Sequence, residues 1–205
     1  MDHLHYAGAS PDIQRDALIS ILRGTDWMTA ALAGLKAASL PDGCIVAGAL
    51  YNLVWNRLTD RPSTHGINDI DVFYFDKSDL SYEAEDAVIQ RSVPHFSAMP
   101  LPVEIRNQAR VHLWFPRHFG FDIAPIESSL DGILRFSAIA HCIGARLGKE
   151  GEIEIIAPHG LDDLFAFKIA PNQTYNENKA SYEKKAARAQ ACWPELTVIE
   201  WASSG

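Results

Sequence analysis

The chain has 205 residues, 47% of them hydrophobic and 21% charged, which suits one globular domain or a domain with a small appendage. Its formal charge of −8 argues against a non-specific grip on a polyanion and points to a small substrate or a locally basic cleft. Cys44, Cys142 and Cys192 are too scattered for a CxxC pair and odd in number, so reduced thiols are expected rather than a disulfide framework.

The opening MDHLHYAGAS has neither a basic nor an apolar leader segment, and no window reaches the ~18 apolar residues of a membrane span. A soluble, cytoplasmic protein is therefore expected. Ser10-Pro11 reads as a helix start, and Ile13, Ala17, Ile21 and Leu22 form one apolar stripe before Gly24. Asp26 can cap a second helix over Trp27 to Ala38, ended by Pro41-Asp42-Gly43. Cys44-Ile45-Val46 suits a central strand, and Gly48 opens a helical run from Ala49 to Leu58.

The stretch NDIDVFYFD, Asn68 to Asp76, predicts the next strand, and Asp79 to Gln90 an exposed acidic helix. Val103 to Phe115 alternates with period 2. Glu104, Arg106, Gln108, Arg110, His112 and Trp114 fall on its polar face. Thirteen residues is long for a strand, so a bend or bulge midway is expected. Leu130 to Leu147 reads as one or two helices, Glu152 to Ile156 as a strand, and Asn178 to Gln190 as a polar helix before a tail containing Trp193 and Trp201. The pattern is α+β. A mixed, mostly antiparallel sheet flanked by helices is expected in residues 1–125, with a mainly helical part over residues 126–205 packed on it.

Asp69 and Asp71 pose the functional question. On a strand they leave the same face with Cα atoms about 6–7 Å apart. Two carboxylates converging this way repel unless a cation lies between them, and a hard cation such as Mg²⁺ takes carboxylate and phosphate oxygens. A third acid on a neighbouring strand allows the two-metal arrangement of phosphoryl transfer, and Glu104 is the candidate. Arg106 and Arg110 on the same predicted face can neutralise phosphate charge. Upstream, VAGALYN supplies a strand, a glycine and a helix N-terminus whose backbone N–H groups can hold a phosphate.

Read together, VAGALYNLVW, NDIDVFYFD, VEIRNQARVHLWF, IAPHGLDDLF and WPELTV resemble the nucleotidyltransferase-like proteins of the polymerase-beta-type superfamily, in particular a bacterial family within it. The resemblance implies that fold and the transfer of a nucleoside monophosphate from a nucleoside triphosphate to an acceptor not readable here, a small molecule being favoured over nucleic acid or protein. It implies Mg²⁺, with Mn²⁺ as a substitute, held by Asp69, Asp71 and Glu104, the last as base. Gly48, Ala49, Asn52, Arg106 and Arg110 would form the nucleotide side. The chain departs from the superfamily pattern at Ala49, where Ser or Gly is usual, and at Tyr51, where the narrower family often has Arg. Two other readings stay open. One is a nucleotide-binding module of the same fold with weakened catalysis. The other is a DxD glycosyltransferase, which requires a doubly wound parallel sheet.

Overall fold

The computed structural model describes residues 2–174 and 179–202. Helix α1 (Pro11–Arg23) starts on Ser10, whose hydroxyl accepts from the Ile13 N–H, and Pro11 fills the first turn, where a missing N–H does no harm. Helix α2 (Asp26–Ala38) follows, then strand β1 (Cys44–Val46) and helix α3 (Gly48–Leu58). Strand β2 (Ile70–Tyr74), helix α4 (Tyr82–Ser92) and strand β3 (Val103–Asn107) complete the first half.

Beyond β3 the chain departs from the sequence reading. The predicted strand to Phe115 stops at Asn107, whose side chain accepts from the Ala109 N–H and caps a 3-10 turn running into helix α5 (Val111–Phe119). The same Asn107 amide also bonds the Asp76 backbone in both directions, which fixes the corner. Polar-apolar alternation was misleading because Val111, Trp114 and Phe115 also fit the i, i+3, i+4 spacing of a helix. The predicted helix Leu130–Leu147 is likewise divided. Helix α6 (Ser129–Leu134) ends early, and strand β4 (Gly144–Leu147) pairs with strand β5 (Ile153–Ile156). Helix α7 (Asp162–Phe165), the short strand β6 (Lys168–Ile169), helix α8 (Lys179–Cys192) and strand β7 (Thr197–Val198) close the chain. The expected start of α8 at Asn178 lies outside the described residues.

The main sheet runs in the order β3-β2-β1-β4-β5, so it draws strands from both sides of residue 125. β2 and β3 are parallel, and the other three pairings are antiparallel. This is the mixed, mostly antiparallel sheet that was expected, and not the doubly wound parallel sheet of the glycosyltransferase reading.

One face of the sheet, with Ile45, Ile70, Val72, Ile105 and Ala145, joins α1, α2 and α3 in the main core. Leu18, Leu22, Met28, Leu32, Leu50 and Trp55 fill it. Each such side chain contributes ~1.5–3 kcal/mol by leaving water. The other face carries only a small apolar cluster around Cys44, Val46, Ile133 and Cys142, with Phe73 and Phe136 at its edge. That thinly covered face holds the acids.

Candidate active site

Strand alternation alone separates the acids from the core. In β2, Ile70, Val72 and Tyr74 are buried, while Asp71 and Phe73 point to the opposite, half-buried face. Asp71 stands opposite Glu104 in the parallel β2–β3 register, so their backbones lie about 4.8 Å apart across the ladder. Asp69 enters from the loop just before β2.

The consequence is a concentration of negative charge. Burial raises the Asp71 carboxyl to about 6, and the neighbouring Asp69 and Glu104 charges add to that shift; Lys185 and Arg106 oppose it. Asp69 is also raised, first by burial and then by Glu104, with Arg188 opposing. Glu104 is drawn instead toward Arg106, 3.0 Å away, in a pair nearly half exposed on both sides. Among the described residues no group of three His, Cys, Asp or Glu side chains is gathered tightly enough to hold a metal ion as it stands. The donor chemistry is nevertheless that of a hard cation: two carboxylates paired on one sheet face and a third at the head of β2, with Asp71 short of compensating positive charge.

The phosphate side is built by the turn from β1 into α3. Ala47 has φ +50° and ψ −114°, a left-handed conformation disfavoured for any residue with a Cβ. Its N–H donates to the Ile143 carbonyl, and its own carbonyl accepts from Leu50 and Tyr51, so the neighbours hold the strain in place. This turn points the N-terminus of α3 into a cavity of about 160 Å³ bounded by Gly48, Asn52, Asn68, Asp69 and Asp71. A Cβ on Gly48 would stand 3.7 Å from the Asn52 amide nitrogen and 3.9 Å from the Tyr51 hydroxyl, projecting into that space. The Asn52 Oδ1 is buried without a partner among the described residues. Ala49 packs in the main core and is not among the residues that line this cavity.

Tyr51 packs flat on His141, with ring centroids 4.2 Å apart and planes 14° from parallel. His141 is buried and both its ring nitrogens lack partners among the described residues, and burial drives its pKa down to about 3.

Of the two arginines expected on the phosphate side, one stays and one does not. Arg106 remains beside the acids through Glu104. Arg110 does not, because the strand has already become a helical turn. Its guanidinium pairs with the buried Glu85 carboxylate and donates to the Leu80 carbonyl, tying the turn after β3 to α4 and the loop before it. His112, on the same predicted face, sits in α5 instead.

Helix α8 supplies what sequence reading missed. Lys185 and Arg188 face the acids, and both border the 160 Å³ cavity. Lys185 Nζ lies 5.7 Å from the Phe136 ring centre, and crowding by the surrounding protein lowers its pKa against the pull of Asp71. Arg188 donates to the Gly66 carbonyl at 3.2 Å and to Asn68 Oδ1 at 2.7 Å, fixing the loop that delivers Asp69. The available signal was their i, i+3 spacing among small alanines, on the same side as the buried Ala186 and Ala189.

A second cavity of about 470 Å³ meets the first at Asp71, Phe136 and Lys185. A larger open groove of about 660 Å³ lies between the α1–α2 turn and Arg57, and none of the three acids borders it.

Comparisons with known proteins agree with this architecture. A family described as Nucleotidyltransferase matches residues 33–198. No curated protein matches the chain in sequence. Among solved structures, the chain is similar to a protein whose NMR structure reveals a CCA-adding enzyme head domain. The identity is 25%, the TM-score 0.74, and the match covers 90% of this chain and 95% of that one. The matched span contains Gly48, the three acids and the cations of α8, and the sheet is that of a polymerase-beta-type nucleotidyltransferase; the chain belongs to the nucleotidyltransferase family and is a transferase of phosphorus-containing groups.

Proposed function

We propose that the protein transfers a nucleoside monophosphate from a nucleoside triphosphate to a small acceptor, using Mg²⁺ or Mn²⁺ held by Asp69, Asp71 and Glu104. The observation that carries this is the register match of Asp71 with Glu104 beside the N-terminus of α3, where burial first, and then neighbouring carboxylate charge, raises Asp71 and Asp69. The bound metal would neutralise charge on the phosphates and on the attacking and leaving oxygens.

The chain's own groups divide the remaining work. The Gly48 and Ala49 N–H groups, unsatisfied in the first turn of α3, face the phosphates. Arg188 and Lys185 supply positive charge from the opposite wall. Glu104, released from Arg106, accepts the proton of the acceptor hydroxyl. That oxygen forms a bond to the α-phosphorus while the bond from the α-phosphorus to the bridging oxygen breaks, and pyrophosphate leaves with the electron pair. Positioning and electrostatics supply the rate enhancement. The charge of −8 disfavours a long polyanionic acceptor.

Calorimetric titration with Mg²⁺ and a non-hydrolysable ATP analogue tests the donor site. Binding that needs the metal and is lost in Asp69→Asn and Asp71→Asn supports it, and unchanged affinity in both variants contradicts it. A second reading, a binding module without turnover, is favoured by the Glu104–Arg106 ion pair, which occupies the proposed base. It predicts the same binding with no pyrophosphate released to any acceptor.

A further inference from the structure

The 470 Å³ cavity lies on one side of the acids and the 160 Å³ cavity on the other, and the three carboxylates are not shared equally. Asp69 borders only the smaller cavity, Glu104 only the larger, and Asp71 both. A proton-accepting carboxylate must reach the acceptor, whereas the helix N-terminus must reach the phosphates. The chambers therefore divide by chemistry, with phosphates on the Gly48 side and acceptor on the Glu104 side.

The walls of the larger chamber define what it takes. Phe73 and Phe136 stack with centroids 5.6 Å apart and planes 23° from parallel. Facing them are Trp114 and Phe115 of α5, and Phe115 meets Phe121 edge-on at 5.3 Å. Flat aromatic walls bury a planar ring system in offset or edge contact, a gain beyond simple area burial. The chambers meet at Asp71, Phe136 and Lys185, with the Glu104–Arg106 pair on the strand beside Asp71; Arg135 also lines the wall, ion-paired with Asp131. A ligand entering this chamber thus has its body among rings and its polar end at Glu104.

We propose that the acceptor is a small planar aromatic compound whose hydroxyl is presented to Glu104 from this chamber. The proposal rests on the nucleotidyl-transfer reading, and it names the substrate class of that same site. Its transfer step has the same balance: the aromatic compound's hydroxyl oxygen bonds the α-phosphorus, pyrophosphate departs, and the proton passes to Glu104. The nucleobase of the donor is the competing occupant. A nucleobase lying there would block the larger chamber, the one of the two that Glu104 borders, and leave Glu104 no acceptor to deprotonate.

The test is direct binding of 2-naphthol, followed by its own fluorescence, with and without saturating Mg²⁺–ATP. Ser181 is half-buried on α8, lines the chamber and belongs to neither apolar cluster, so Ser181→Trp fills the chamber. The expected result is that naphthol and ATP bind together, and that Ser181→Trp weakens naphthol by about tenfold or more while ATP affinity stays within about twofold. Cyclohexylmethanol binds weakly or not at all to either protein. Displacement of naphthol by ATP would place the nucleobase in the chamber and overturn the proposal. Unaltered naphthol binding in Ser181→Trp, or equal binding of the aliphatic alcohol, overturns it as well. Wild-type protein that binds naphthol but no ATP under any metal condition removes the donor, so the nucleotidyl-transfer reading falls and the acceptor assignment with it.

Discussion

Asp71 is held by its strand in a place that does not suit a lone carboxylate. Its folded carboxyl keeps a proton up to about 6, against an ordinary value near 3.8, because burial and the charges of Asp69 and Glu104 disfavour ionisation. The unfolded chain ionises more easily, so the folded state is penalised as pH rises from about 4 to 6, and the penalty is constant above that. Asp71→Asn removes it. Urea unfolding in chelator should find the variant about 1–3 kcal/mol more stable than wild type at pH 8, with the difference vanishing near pH 4. A difference independent of pH would mean the acid is not strained by its neighbours. Ala47 stores strain of another kind, since its φ of +50° is one that glycine adopts freely. Ala47→Gly should raise stability by roughly 1 kcal/mol, the relieved strain exceeding the added chain entropy; a lower melting temperature would contradict this.

At the scale of elements, α8 closes the site and the loop before β2 depends on it. Gly66 has φ +67°, and a Cβ there would come within 2.4 Å of the Trp193 ring. Trp193 cannot yield easily, because its indole N–H donates to Asn56 Oδ1 in the buried interior at 2.9 Å. Gly66→Ala should therefore destabilise by about 2–4 kcal/mol, the sum of left-handed backbone cost and overpacking. It should also weaken nucleotide binding by displacing Asp69; equal stability in a denaturation curve would contradict the packing argument. The sequence made β1, α3 and β2 legible because strand, glycine, helix and acidic strand follow one another closely and each has a local signal. It did not reveal α5 or β4. Alternation through His112 mimicked a strand where Asn107 had already capped a turn, and β4 is defined by pairing with β5 rather than by its own composition. Lys185 and Arg188 were hidden for the same reason, since only tertiary packing brings α8 over residues more than a hundred positions earlier.

Over the whole molecule, one sheet separates a thick core from a sparsely covered functional face, and groups on that second face respond to pH in opposite senses. His141 is buried as the neutral imidazole, with a folded pKa of about 3 against 6.5 when unfolded. The unfolded chain binds its proton first, so this group subtracts stability as pH falls below 6.5, by roughly 2 kcal/mol at pH 5. Asp71 acts the other way over the same range. The variant His141→Phe keeps a ring against Tyr51 and should flatten the loss of stability between pH 7 and pH 5; an unchanged slope would show that His141 is not buried neutral.

Nucleotidyl transfer at the three acids is read out by mass spectrometry of the products formed from mixed nucleoside triphosphates, Mg²⁺ and a small-molecule metabolite extract. Wild type should yield a new nucleoside monophosphate adduct of an extract component, with pyrophosphate, and Asp71→Asn should yield neither. Adduct formation undiminished in Asp71→Asn, or no adduct from any nucleotide with protein that binds Mg²⁺–ATP, would contradict it.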